Sequence, residues 1–130
     1  FPWNIDQIFW EILCVDHGRL LKNAVIWATD APQPVTVEGQ GVLDVTIWKQ
    51  SSSMTVHMVN LTNPMMMKGP IREFIPLGTQ TVKIRLPDGC KVRGAKLLKT
   101  EGELEYSITD GYLEAVVPSI LDHEVLAIDL

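Results

Sequence analysis

Two cysteines and no basic cluster in 130 residues close off several kinds of protein at once. Cys14 and Cys90 are too few for a disulfide scaffold or a tetrahedral metal site, so two free thiols are expected. With a formal net charge of −5 and no run of Lys and Arg, the chain has no electrostatic footprint for nucleic acid or an anionic membrane surface. No apolar run approaches the ~20 residues of a bilayer-spanning helix. Nucleophile elbow, glycine-rich phosphate loop, His-Glu-x-x-His and spaced cysteine pairs are all missing. Nucleic acid, membrane, metal and cofactor therefore drop out as expected partners, and no catalytic residue is assigned. The expected location is cytoplasmic, because no basic-then-apolar leader opens the sequence.

What the chain does have is apolar mass. A content of 46% hydrophobic against 21% charged residues argues for a folded core rather than disorder. A domain of this size can bury roughly two-thirds of its unfolded surface. The opening FPWNID carries no initiator methionine, and the sequence reads as a piece of something longer.

The first thirty residues differ from the rest. From Asp16, an expected N-cap, the spacing of Leu20, Leu21, Ala24, Val25 and Ala28 predicts a helix with one apolar stripe, and His17 falls in its first turn. Upstream, Phe1, Trp3, Ile5, Ile8, Phe9, Trp10, Ile12 and Leu13 crowd more apolar bulk into a short segment than one solvent-facing helix needs. Cover on more than one side is expected, from the rest of the chain or from a second copy. TDAPQP at 29–34 ends the helix, since its two prolines cannot continue it. The expected domains are 1–30 and 31–130.

Beyond the prolines the period drops to two, and the class predicted is mostly β: an antiparallel β-sandwich of seven or eight strands after an N-terminal helical segment. PVTVEG, LDVTIWK, MTVHMVNLT, TVKIRLP, KVRGAKLLK, LEYSIT, YLEAVVP and HEVLAIDL supply the strands. DG turns at 88–89 and 110–111 punctuate what reads as a meander, with a bulge expected at Gly94.

Candidate chemistry is thin. His57 lies alone on a strand. Asp122, His123 and Glu124 could suggest an acid–base or metal cluster, but strand alternation would turn His123 away from the two carboxylates. Trp48, Tyr106 and Tyr112 are candidates for a sugar-stacking platform. Asn60-Leu61-Thr62 fits the N-glycosylation acceptor pattern. The oddest stretch is NLTNPMMMKGPIREF, residues 60–74, where three consecutive methionines sit between two prolines. Met65, Met66 and Met67 offer adaptable apolar contact, and Arg72, Glu73 and Phe74 follow them, so this loop is the expected interface. The alternative is a loop folded back as a cap on the core.

FPWNIDQIFWEILCVDHGRLLKNAVIWA resembles the closing segment of a β-galactosidase-trimerisation-type domain, the amidotransferase-like α/β domain that follows the catalytic barrel in some glycoside hydrolases. VNLTNPMMMKGPIREFIPLG and VPSILDHEVLAIDL resemble the C-terminal β-sandwich that follows it in large bacterial glycoside-hydrolase-like proteins. The resemblance implies a non-catalytic accessory domain serving assembly. Its partners would be the parent's other domains or a second copy, and the catalytic barrel with its paired carboxylates would lie upstream. A carbohydrate-binding module, with carbohydrate as partner, is the second reading; a small free-standing enzyme is the third.

Overall fold

In the computed structural model, which describes residues 2–63, 69–101 and 104–130, the alternating segments become eight strands. They are β1 (Val35–Glu38), β2 (Leu43–Lys49), β3 (Ser53–Asn60), β4 (Gln80–Arg85), β5 (Gly94–Leu97), β6 (Glu105–Thr109), β7 (Tyr112–Val117) and β8 (His123–Asp129). All pairings are antiparallel, in a first sheet ordered β1-β4-β7-β6 and a second ordered β2-β3-β8-β5. The fold class is thus the mostly-β, antiparallel class that the period-two pattern predicts.

The inward residues of both sheets meet in one core. Val82 and Ile84 of β4 and Leu113, Ala115 and Val117 of β7 join Met54, Val56 and Met58 of β3 and Leu126 and Ile128 of β8. At ~25 cal/mol per Å² of apolar surface, each of these side chains larger than alanine contributes about 1.5–3 kcal/mol by leaving water. Sequence order does not follow sheet order. Only β2–β3 and β6–β7 are hairpins between chain neighbours; every other connection crosses between sheets, so the expected meander is replaced by a sandwich of crossovers. The β6–β7 turn holds Asp110 and Gly111 at φ 52° and 78°, the doubly left-handed backbone of a type I′ hairpin. The other DG turn closes with Cys90 N–H donating to the Pro87 carbonyl. Gly94 makes no bulge: it opens β5 in register with Asp129.

Two helices precede the sandwich, α1 (Ile5–Ile12) and α2 (Val15–Thr29). The chain divides into two compact units, Phe1–Gln33 and Pro34–Leu130. Within the first, α1 and α2 contact each other, and the Phe9 ring lies so close to Gly18 that a Cβ there would meet it at 2.9 Å. The N-cap of α2 is Cys14, not Asp16, and it makes no side-chain cap bond. Asp16 sits instead in the first turn, where its charge opposes the positive end of the helix dipole. Among the described residues, no helix is long and apolar enough to cross a membrane.

Candidate functional site

The methionine loop is only partly described: Met65, Met66 and Met67 lie outside the described residues. The loop as a whole is tied at its two ends, by Asn60 and by Leu77. Asn60, buried at the end of β3, donates through Nδ2 to the carbonyls of Ile75 (2.8 Å) and Leu121 (2.7 Å) and accepts from Thr62 N–H (3.0 Å). With both amide hydrogens engaged and the side chain buried, Asn60 cannot present itself to a glycosyltransferase in the folded chain, which removes the acceptor pattern as a site. Leu77 pairs with Ile120, and the Ser119 hydroxyl donates to the Leu77 carbonyl. Between these anchors Ile71, Phe74 and Ile75 stand exposed, as do Arg72 and Glu73. No described residue forms an ion pair with Arg72 or Glu73.

The Asp122, His123 and Glu124 group divides differently from the alternation argument. Asp122 precedes β8, so strand alternation does not govern it, and its Oδ2 lies 3.2 Å from His123 Nδ1 while Oδ1 pairs with Lys99. Glu124 is the residue that turns away. It points into the sandwich, 1% exposed, where Oε1 accepts from Lys99 N–H (3.0 Å) and Val125 N–H (2.8 Å) and Oε2 from Thr100 N–H (3.2 Å) and the Thr100 hydroxyl (2.7 Å). Burial works against its charge, but the Thr100 hydroxyl and these backbone N–H groups outweigh that cost and hold the carboxyl below its ordinary range. A carboxylate engaged four times over is a structural clamp on Lys99 and Thr100. Among the described residues, no group of three His, Cys, Asp or Glu side chains could hold a metal ion. His57 lies on the outer face of the second sheet with Nε2 3.3 Å from the Thr55 hydroxyl.

The three aromatics do not form one platform. Trp48 stands on the outer face of the second sheet, and Tyr112 on the outer face of the first. Tyr106 pairs with inward-facing Ala115, so it lies on the inner face of edge strand β6, half exposed where the sandwich opens. Around Tyr112, however, an open depression of about 490 Å³ is lined by Lys83, Ser107, Thr109, Asp110 and Glu114. Only pairing register brings these residues together: Lys83, Glu114 and Ser107 sit in one row across β4, β7 and β6, and Arg85, Tyr112 and Thr109 in the next. The sequence shows the polar face of each strand but not which strands are neighbours.

The helical unit carries a run of exposed apolar side chains. Trp27 is 84% exposed and Trp10 58%, and Ile12, Val15, Leu20 and Val25 are exposed as well. Ile5 is the one buried side chain of α1, and α2 has none. Within the helical unit itself, α1 and α2 leave Trp10, Val25 and Trp27 uncovered.

No protein-family model and no curated protein matches the sequence. In structure the chain is similar to alpha-L-fucosidase isoenzyme 2 from Paenibacillus thiaminolyticus, with a TM-score of 0.78 and 17% sequence identity. The match takes in 97% of this chain and 20% of that one, so this chain spans about a fifth of the neighbour's length. At this identity the likeness is one of fold.

Proposed function

We propose that the chain is a non-catalytic accessory region of a glycoside-hydrolase-like protein, held against the other domains of that protein by its helical unit and by the loop at 69–76. The observation that carries this reading is the bare apolar surface of α1 and α2. Isolated helices shorter than ~12–15 residues are marginal in water, and here helices of 8 and 15 residues bury one side chain between them and lack side-chain cap bonds at their N-termini. Such a pair needs a partner to hold its shape, and Trp10 and Trp27 are of the type that dominates interface energetics. The fold likeness supplies the context. A fucosidase hydrolyses glycosides, and the fold match takes in 97% of this chain but 20% of that fucosidase chain. Exposed Ile71, Phe74 and Ile75 add a second apolar contact.

Replacing Trp10 and Trp27 together by Ser tests the reading in the whole parent protein. The sandwich should keep its own unfolding transition, whereas in the parent this region should stop unfolding together with the preceding domains. Unchanged cooperativity in the parent, or a dimer of this chain that the same substitutions abolish, would overturn the proposal.

A further inference from the structure

We propose that the depression on the outer face of the first sheet is a binding site for a neutral saccharide. The face is built on β4 and β7, each paired on both sides, and on edge strand β6, and antiparallel spacing makes the two rows across β4, β7 and β6 ~10 Å long and ~7 Å apart, the footprint of one pyranose ring. The chemistry of the lining selects the ligand class. Lys83 only donates, Glu114 and Asp110 only accept, and Ser107, Thr109 and the Tyr112 hydroxyl do both. Among the described residues, no side-chain hydrogen bond or ion pair engages any of the six, although Lys83 and Glu114 are direct cross-strand partners. An anionic ligand would meet two carboxylates and a cation would meet the ammonium. An apolar one would strip water from groups it cannot satisfy. Sugar hydroxyls, each a donor and an acceptor, can serve all of them.

The Lys83 ammonium lies 4.9 Å from the Tyr112 ring centroid, a cation–π contact that fixes it within the depression and covers one ring face. Recognition then comes from hydrogen bonds around the ring edge rather than from stacking, in contrast to the flat aromatic platform that the sequence suggests. The site lies in the sandwich unit and shares no residue with the helical surface, so either proposal can fail without the other.

The test is an amide chemical-shift titration of the whole chain with neutral methyl hexopyranosides, with glucuronate and glucosamine as charged probes. A neutral glycoside should shift the amides around Lys83 and residues 107–114. Glu114→Ala and Lys83→Ala should each weaken binding about tenfold, the loss expected when a charge-assisted hydrogen bond of ~1.4 kcal/mol is removed. Trp48→Ala, on the opposite sheet, should change nothing, and Ser107→Ala gives a second reading should Glu114→Ala loosen its strand. No shift with any neutral glycoside, equal or tighter binding of a charged probe, or binding that survives both charge removals would overturn the proposal.

Discussion

Glu124 is a charge placed where strand alternation sends an apolar side chain. It stays ionised because four donors converge on it, and its pKa is depressed on folding. A depressed folded value means that the native state gains stability above the ordinary Glu value of about 4.3 and loses it as the pH falls from there through the folded value. Glu124→Gln should remove that acid-dependent component. It should also cost about 1.5–3 kcal/mol at neutral pH, because the new amide sets two N–H donors against donors. Urea titrations at neutral pH and around pH 4 measure both effects; equal losses at the two pH values would refute the clamp. Asn60 works in the opposite sense, donating to carbonyls. Asn60→Asp would set a buried carboxylate against the Ile75 and Leu121 carbonyls and should cost about 3 kcal/mol or more, exceeding Asn60→Ala in the same titration. If Asp were the milder change, the staple would have to be redrawn.

At the scale of elements, the strands were legible and their neighbours were not. LDVTIWK alternates so regularly that its pattern and β2 coincide, and the DG at 110–111 marks its hairpin because Asp-Gly is one of the few pairs that accept two left-handed residues readily. Sheet order escapes such reading, since crossovers depend on which faces find each other across the core. Lys83 and Glu114 become neighbours only once β4 lies beside β7. The expected helix start lies two residues late because Asp16 suits two roles, N-cap and first-turn anion, and Cys14 gives no signal for either. Two predictions belong here. Gly111→Ala should cost ~1 kcal/mol or more, because its φ of 78° burdens any Cβ, read as a lowered urea midpoint without a change in slope. Gly18→Val should drive a branched side chain into the Phe9 ring, lowering helical ellipticity while the core transition of the sandwich holds. Retained ellipticity would show that α1 is not seated on Gly18.

For the whole molecule, the described buried hydrophobic cluster lies entirely in the sandwich unit. Among the described residues, all fourteen members of the buried hydrophobic cluster belong to residues 54–128, while Trp10 and Trp27 of the helical unit are exposed. On the reading proposed above such a region gains from being attached; in fold it is like a fifth of a longer alpha-L-fucosidase chain. The most direct measurement is sedimentation velocity of this chain mixed with the remainder of its parent polypeptide, comparing the native sequence with the Trp10→Ser, Trp27→Ser double variant. A complex that forms with the native chain, and that the double variant weakens by a hundredfold or more, about 2.7 kcal/mol at ~1.4 kcal/mol per decade, is the predicted result. Independent sedimentation of the two native pieces, or a complex indifferent to both tryptophans, would contradict it.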